Sequence, residues 1–375
     1  MVNIYIIFSL IILMAAAAAS FYIIAGRGRR KNVSLAKRRA IMNNAVEYRL
    51  SLAPRIVAIG GGTGLSTLLS GLKVFTRNIT AVVAVTDEGG SSGRLRQEWG
   101  MLPPGDIRNC IVALAENDSS LNRLLNFRFD RGELEGHSLG NLILLATTEM
   151  MGDFQRAVEE LNKLLAIRGQ VLPVTTETVI LKGETEDGTT VSGELAVSDN
   201  GNRLRKLWIE PSNAQPLDGV KNALNNADLI VLGPGSLFTS VLPNLLLKEI
   251  SELLKKSSVP IVYVANLVTQ PKETEGMNIL SHVDWIASVL GTVPDYLIAN
   301  QAPIPEEFLR RYSKIGAEPL YLSMQEEKYL ESLGTTVIYG DFATIKNGTY
   351  LRHNTESLAE TIIRLAMESR EKRVS

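Results

Sequence analysis

Two hydrophobic patterns alternate along most of the chain. Short unbroken apolar runs, typical of strands buried on both faces of a sheet, span 55–59 and 79–85. Between them, leucines recur every three or four positions from Leu65 to Leu72, which predicts a helix. Similar apolar runs occupy 228–232, 260–265, 296–299, 318–322 and 337–339. Strands that alternate with helices predict an α/β domain with a doubly wound, mostly parallel sheet over residues 55–375.

Residues 170–210 depart from this pattern. Short strands are predicted here, with turns at Asp187-Gly188 and Asn200-Gly201, dipeptides that favour tight hairpins. The predicted strands are 171–173, 178–181, 190–197 and 204–209. We interpret this region as a small antiparallel β insertion in the larger domain.

The first 26 residues have another character. Residues 4–25 carry no charge, and at about 1.5 Å per residue a helix of that length crosses the apolar core of a bilayer. A cleaved signal peptide is the competing interpretation, but the basic residues follow the apolar stretch instead of preceding it. This order predicts a single-pass transmembrane anchor (1–26) in the cytoplasmic membrane, with the N-terminus outside and the body in the cytoplasm. Residues 27–54 are then a basic juxtamembrane segment, helical until Pro54 and in contact with anionic lipid.

Charge and cysteine content narrow the function classes. Seven Lys or Arg and no acidic residue lie in 1–39, so the remainder holds 32 basic and 40 acidic residues. A body with this balance lacks a basic surface for nucleic acid, and no nucleic-acid partner is expected. The single cysteine, Cys110, excludes an internal disulfide and a cysteine-based zinc site.

Glycines follow the first predicted strand. Gly60, Gly61, Gly62 and Gly64, with Thr63 among them, precede a helix, and glycines in this position let a backbone approach a phosphate closely. The run fails the G-x-G-x-x-G dinucleotide pattern because Leu65 stands where a glycine is needed, and no P-loop lysine follows. A tight strand-to-helix turn is the alternative interpretation.

The second strand ends at an acidic pair, Asp87-Glu88. An acid at this position suits a ribose or a hydrated metal ion. A second glycine-rich turn follows and contains Gly89, Gly90, Ser91, Ser92 and Arg94. The guanidinium of Arg94 could donate two parallel hydrogen bonds to a phosphate. The alternative interpretation is that Arg94 is an ordinary charged residue on the surface.

Two further loops lead into helices. The turn at Pro103-Pro104-Gly105 places Asp106 as the N-cap of a helix, and Asn109 follows closely. The run GHSLGN at 136–141 formally satisfies the G-x-S-x-G nucleophile elbow, but polar residues stand where that motif needs a strand, which disfavours a hydrolase. His137 is instead a candidate donor to a phosphate oxygen, or a structural cap.

The strands at 228–232 and 260–265 end in similar loops. GPGS at 233–236 offers backbone amides to a second phosphate or a sugar. The neighbouring polar residues are Ser236, Thr239, Ser240, Asn266, Thr269 and Gln270. Because ligands bind beyond the carboxyl ends of parallel strands, these loops are expected to converge at one edge of the sheet.

In this order the motifs resemble the CofD-like superfamily, and specifically its YvcK-type gluconeogenesis factor branch. The resemblance covers about residues 55–365 and rests on GGGTGLS, GGSSGRLR, PPGDIRN, GHSLGN, GPGSLFTSVLPNLL, TQPKET and LRHN. It implies a Rossmann-like nucleotide fold, binding of a UDP sugar such as UDP-N-acetylglucosamine, and a role in cell shape and cell-wall synthesis during gluconeogenic growth. The related transferase branch moves phospholactate from a guanosine-diphosphate-type intermediate onto a deazaflavin with a divalent metal.

The implied nucleotide site consists of the polar strand-end residues. Its expected members are Gly60, Gly61, Gly62, Thr63, Gly64, Asp87, Gly89, Gly90, Ser91, Ser92, Arg94, Asp106, Asn109, His137, Asn141, Gly233, Gly235, Ser236, Thr239, Ser240, Asn266, Thr269 and Gln270. Mg²⁺ accompanying the nucleotide would be held by Asp87 and Glu88. Two positions depart from the family pattern, because Glu88 replaces the second of two aspartates and Met277 stands where an aromatic residue is common.

The predicted function is that of a membrane-tethered, cytosolic regulator that binds a nucleotide sugar without catalysis. Its expected partners are the nucleotide sugar, the bilayer through residues 4–25, proteins of cell-wall synthesis and further copies of the chain. A phospholactate-type transferase acting on a nucleoside-diphosphate-linked donor is the alternative. A nicotinamide dehydrogenase is a weaker third class, because the glycine fingerprint is broken.

Overall fold

The computed structural model describes residues 47–116, 120–346 and 348–374. The chain divides between Leu52 and Ala53, and on the N-terminal side 47–51 are helical. In the described ranges no helix is long and apolar enough to cross a membrane. The predicted anchor at 4–25 and most of the juxtamembrane segment lie outside those ranges.

A seven-stranded parallel sheet forms the centre of the fold. Its order is β3-β2-β1-β7-β8-β9-β10, and every neighbouring pair is parallel. The strands are β1 (Ile56–Gly60), β2 (Ile79–Val83), β3 (Gln170–Pro173), β7 (Leu229–Leu232), β8 (Ile261–Val264), β9 (Tyr296–Asn300) and β10 (Thr336–Gly340). The central strands β1 and β7 are buried along their whole length, which explains their unbroken apolar sequences.

Helices connect the strands and cover the sheet. They are α1 (Gly62–Leu72), α2 (Gly90–Trp99), α3 (Gly105–Leu114), α4 (Ser120–Asn126), α5 (Leu139–Met151), α6 (Phe154–Leu164), α7 (Glu194–Ser198), α8 (Asp218–Asn226), α9 (Leu242–Leu245), α10 (Lys248–Lys256), α11 (Ile279–Leu290), α12 (Glu306–Ser313), α13 (Met324–Ser332) and α14 (Thr355–Val374), with a π-helix at Leu237–Val241 and a 3₁₀ turn at Gly201–Arg203. The periodic leucines of α1 are fully buried, and each contributes about 1.5–3 kcal/mol relative to an exposed position. The helix predicted after the first strand is therefore confirmed, and it packs against α3 and α14.

The β insertion is smaller than predicted. It is a three-stranded antiparallel sheet of β4 (Ile180–Thr185), β5 (Thr190–Ser192) and β6 (Leu204–Glu210), in the order β5-β4-β6. Gln170–Pro173, which the sequence pattern assigned to it, instead extends the central sheet beside β2. The strand predicted over 190–197 stops at Ser192 because Gly193, with a φ of 95°, turns the chain into α7.

The strand predicted at 318–322 is absent from the described part of the chain. Pro319 makes one isolated bridge to Val268, and its missing N–H prevents it from continuing a ladder. A hairpin of β11 (Ala343–Lys346) and β12 (Tyr350–His353), which the sequence pattern did not predict, lies near the C-terminus.

The strand order reverses at the centre of the sheet. From β1 the chain proceeds outward through β2 and β3, and it then returns to form β7 on the other side of β1. In doubly wound sheets, ligands bind outside the carboxyl ends of the strands at such a reversal. A ligand-binding site is therefore expected at the loops after β1 and β7.

Candidate functional site

A cavity of about 350 Å³ lies at this reversal, between the loops that follow β1 and β7. We call it the glycine-loop cavity. Its lining residues are Gly61, Gly62, Thr63, Gly64, Thr67, Pro234, Gly235, Ser236, Ser240, Asn266, Leu267, Val268, Gln270, Leu351, Arg352 and His353. The prediction that these strand-end loops converge is confirmed for the loops after β1, β7 and β8, whereas no residue of the loop after β2, which was expected to join them, lines the cavity.

The two glycine loops touch each other. A Cβ atom at Gly64 would lie 2.3 Å from the carbonyl oxygen of Pro234, so this approach requires glycine. Helix α1 begins at Gly62, and its N-cap residue, Gly61, provides no side-chain hydrogen bond. The first amides of α1 therefore present a partial positive charge beside the cavity.

Polar side chains organise the wall formed by the loop after β7. Asn266 donates to the carbonyl oxygen of Gly235 at 2.9 Å and accepts from the Gly235 amide at 3.3 Å. Gln270 donates to the Ser236 hydroxyl at 2.8 Å, and Ser236 donates to the Glu273 carboxylate at 3.0 Å.

The buried carboxylate of Glu273 stabilises this loop by hydrogen bonds. It also accepts from the Phe238 amide at 3.0 Å, at the start of the π-helix. Burial raises the pKa of this carboxyl to about 7, although the donors around it favour the charged form. Glu273 belongs to the TQPKET run but was not among the predicted site residues.

Asp106 occupies a different position from the predicted one. Helix α3 begins at Gly105 with Pro104 as its N-cap, so Asp106 lies in the first turn and is not the cap. Burial, and then the charge of Asp87, raise the pKa of the Asp106 carboxyl to about 7, although the N–H of Gly62 favours its charged form. Asp106 therefore accepts from the first amide of α1, which leaves the following amides of that helix for a ligand.

The acidic pair after β2 has two separate environments. Asp87 accepts from the Gly89 amide at 2.9 Å. Glu88 accepts from the amide of Glu194 at 3.0 Å, and one of its carboxylate oxygens lies 3.8 Å from the Arg96 guanidinium. Residues 47–116, 120–346 and 348–374 contain no group of three acidic, histidine or cysteine side chains arranged to hold a metal.

Glu194, from the β insertion, joins this acidic region. Burial raises the pKa of its carboxyl to about 7, with Asp87 as the next cause. Sequence reasoning did not select Glu194, because no local motif marks it and its position depends on how α7 folds back onto the loop after β2.

A second cluster forms away from the glycine-loop cavity. Helix α2 starts at Gly90, so the predicted turn is the beginning of a helix that carries Ser91, Ser92 and Arg94. Ser91 Oγ accepts from Asn141 Nδ2 at 3.1 Å and shares a second hydrogen bond, of 3.0 Å, with Nδ1 of His137. Burial lowers the pKa of His137, and the neighbouring Arg94 and Arg128 lower it further.

The remaining predicted residues have mostly structural contacts. Ser92 Oγ accepts from the Gly105 amide at 3.1 Å, and Thr269 exchanges hydrogen bonds with the backbone of Glu318. Asn109 lines a neighbouring cavity of about 570 Å³ that shares Thr63 and Thr67 with the glycine-loop cavity. Thr239 and Ser240 lie in the π-helix, and Gly60 and Gly233 join the strands to their loops.

Arg352 and His353 contribute to the cavity but were not predicted as site residues. Both belong to β12, and their run, LRHN, was one of the motifs in the family resemblance. His353 Nε2 donates to the carbonyl oxygen of Ala265 at 3.1 Å, and burial lowers its pKa to about 4. The LRHN motif could therefore have indicated from the sequence that Arg352 and His353 belong to the site.

The strand order and the glycine loops at its reversal define a Rossmann-like α/β protein. The family model described as 2-phospho-L-lactate transferase CofD matches residues 56–343, and the chain belongs to the CofD family. Within that family it groups with the gluconeogenesis factors. The gluconeogenesis factor of Bacillus subtilis is 43% identical over 317 residues, which cover 84% of this chain and 99% of the relative.

Other relatives agree with this assignment. The gluconeogenesis factor of Halalkalibacterium halodurans is 43% identical over 310 residues, covering 82% of this chain and 95% of that protein. A crystal structure of a UPF0052 family member from Bacillus halodurans matches with a TM-score of 0.79 and 42% identity, over 83% of this chain and 99% of the other. The predicted family is therefore confirmed, as is the α/β fold with its parallel sheet.

Proposed function

We propose that this protein is a regulator that binds a nucleotide sugar in the glycine-loop cavity and has no catalytic activity of its own. One observation carries the proposal, namely that the backbones of Gly61–Gly64 and Pro234–Ser236 together line a cavity at the reversal of the sheet. A cavity of about 350 Å³ is within the usual range for small-molecule sites.

The chemistry of the lining suits a diphosphate joined to a sugar. The first amides of α1 and the guanidinium of Arg352 would receive the phosphates. The hydroxyls of Ser236 and Ser240 and the amide of Asn266 would hydrogen-bond the sugar.

A divalent ion accompanying the diphosphate would be held by Asp87 and Asp106. These two carboxylates repel each other, and a bound Mg²⁺ would remove that repulsion. Glu88 is engaged by the amide of Glu194 and is not needed for this role.

Calorimetry tests the nucleotide. The full-length chain in mild detergent is titrated with UDP-N-acetylglucosamine and, in parallel, with GDP. Binding of the UDP sugar with a 1:1 stoichiometry and a stronger affinity than GDP is the expected result. Binding of GDP without binding of the UDP sugar would contradict the proposal.

The alternative function is a transferase of the phospholactate type, and the state of Asp106 favours it. A carboxyl whose pKa is raised to about 7 beside the phosphate loop has the properties of a general base. The assay supplies a guanosine-diphosphate-linked phospholactate donor and a deazaflavin acceptor. Turnover that disappears in Asp106→Asn would establish the transferase, and its absence in the wild-type chain would favour the regulator.

We further propose that the regulator acts on cell shape and wall synthesis from the cytoplasmic face of the membrane, tethered through residues 4–25. The apolar stretch followed by basic residues supports this topology. Proteins of cell-wall synthesis and further copies of the chain are its proposed partners. A reporter fused after Ser375 should be active in the cytoplasm, and activity outside the membrane would reject this orientation.

A further inference from the structure

We propose that the guanidiniums of Arg94, Arg108 and Arg128 form a second anion-binding site, separate from the glycine-loop cavity, which receives a phosphate or carboxylate group of a second ligand. We call these three residues the arginine cluster. They come from α2, α3 and the loop between α4 and α5, and none of them lines the glycine-loop cavity. The inference does not depend on which nucleotide the glycine loops take.

Arg108 is the buried member of the arginine cluster. Its side chain is 8% exposed, and its one hydrogen bond in the described part of the chain goes from Nη1 to Asn126 Oδ1 at 2.8 Å. The buried Nε has no acceptor among the described residues. A buried charge that is neither ion-paired nor fully hydrogen-bonded is costly, and a bound anion would remove that cost.

Arg94 and Arg128 bind neighbouring carbonyl groups of the loop between α4 and α5, the loop to which Arg128 itself belongs. Arg94 donates to the carbonyl oxygen of Glu135, and Arg128 donates to the adjacent carbonyl oxygen of Gly136. Carbonyl groups hold the two side chains in place but do not neutralise their charge. Each guanidinium has five N–H donors, so most remain for a ligand.

Within the described ranges no carboxylate forms an ion pair with the arginine cluster, although the charge of Asp106 acts on Arg108 and partly offsets the effect of its burial. Across 47–116, 120–346 and 348–374, ion pairs are formed by other arginines, which include Arg77, Arg96, Arg168, Arg205, Arg310 and Arg373. The acidic residues of the loop, Asp130, Glu133 and Glu135, are exposed and form no ion pair within these ranges. The arginine cluster therefore keeps a net positive charge around the buried Arg108.

The surrounding groups are consistent with a site for anions. The pKa of Arg108 is lowered by its burial and by Arg128, and that of His137 is lowered by burial, Arg94 and Arg128. The charges of Arg94 and Arg128 thus oppose protonation of His137, whereas Glu98 favours it. An anion bound here would reverse both effects, because a negative charge stabilises the cationic forms.

Thermal unfolding of the full-length chain tests the arginine cluster. Inorganic phosphate and, in a second arm, acetate are titrated at constant ionic strength maintained with sodium chloride. The wild-type chain should show a rise in Tm that saturates, because a ligand that binds the folded state stabilises it. A preference for phosphate or for acetate identifies which of the two groups the second ligand carries.

Variants decide where the anion binds. Arg94→Gln, and the double variant Arg94→Gln/Arg128→Gln, should raise the half-effective anion concentration by about tenfold or more, the usual effect of losing a charged hydrogen bond. Arg131→Gln, a change of an exposed cation in the same loop, should respond like the wild type. Arg108→Gln should abolish the response. If this substitution of a buried residue disturbs folding, the variant at the partly exposed Arg94 still tests the proposal.

The proposal is overturned by either of two results. One is a wild-type Tm that responds to neither anion beyond the chloride control. The other is a response whose midpoint is unchanged in the double variant, which would place the anion at the glycine loops instead. Calorimetry with the UDP sugar is independent of both results, so failure of the nucleotide proposal would be recognised separately.

Discussion

The carboxylate of Glu88 accepts a hydrogen bond from the backbone N–H of Glu194 at 3.0 Å. This contact joins the loop after β2 to the β insertion, although Glu194 lies 106 positions after Glu88 in the chain. It gives Glu88 a structural role and brings the Glu194 carboxyl close to Asp87. The insertion thus contacts the acidic region that contains Asp87 and Glu88.

Gly193→Ala should loosen the insertion. Gly193 has a φ of 95°, and a Cβ there would lie 2.3 Å from Oε2 of Glu88, so alanine must displace that carboxylate. We expect limited proteolysis within 180–210 to become several-fold faster. The control is Gly188→Ala, which has a φ of 83° but no neighbour near the new Cβ. Equal cleavage rates in the two variants would show that the contact with Glu88 is unimportant.

Asp106→Asn should stabilise the protein at alkaline pH. The carboxyl has a pKa of about 7 in the folded protein against 3.8 as the ordinary value, so the folded state binds the proton more tightly. The free energy of unfolding contributed by this group therefore falls as the pH rises from about 4 to about 7. Asparagine has the same shape and no titration, so urea unfolding at pH 8 should give a gain of about 1–3 kcal/mol.

The gain from Asp106→Asn should be much smaller at pH 5, because the wild-type carboxyl is then mostly protonated. Asp130→Asn, at an exposed loop position, serves as the control and should change stability little at either pH. The same gain at both pH values would mean that burial does not raise this pKa.

Gly64→Ala should distort the glycine-loop cavity. The new Cβ would overlap the carbonyl oxygen of Pro234, so the two loops must move apart at a cost of about 1–3 kcal/mol. The affinity for UDP-N-acetylglucosamine should fall more than about tenfold, since the amides of both loops are displaced. Ser66→Ala on the same helix, whose hydroxyl bonds to the Thr63 carbonyl oxygen, is the matched control and should bind normally.

Glu273→Gln should release the loop after β7. The glutamine keeps the size of the side chain but replaces the carboxylate that accepts from Ser236 and from the Phe238 amide. We expect the Phe238 and Thr239 amides to exchange with deuterium about tenfold faster, as for the loss of one charged hydrogen bond. Glu275→Gln, at an exposed position nearby, should leave this exchange unchanged.

Local patterns predicted the central strands and their loops well. The apolar runs of β1, β2, β7 and β8 are visible because both faces of these strands are buried, and each is followed by its polar loop. The prediction of a strand at 318–322 was wrong because Pro319 lacks the N–H that a β ladder needs. The hairpin of β11 and β12 was missed because most of its side chains do not alternate between buried and exposed positions. The roles of Glu273, Glu194 and Arg108 were missed because their partners are distant in sequence.

The sequence by itself determined the family, the alternation of strands and helices, and the glycine loops at the strand ends. These features depend on residues that are neighbours along the chain, where hydrophobic period and turn chemistry act directly. The tertiary structure decided which loops share one cavity, that Glu88 binds the insertion, and that Arg94 binds the Glu135 carbonyl group instead of lining the glycine-loop cavity. The burial and the charge environment of a side chain depend on all its neighbours in space, and the order of the strands determines which residues those neighbours are.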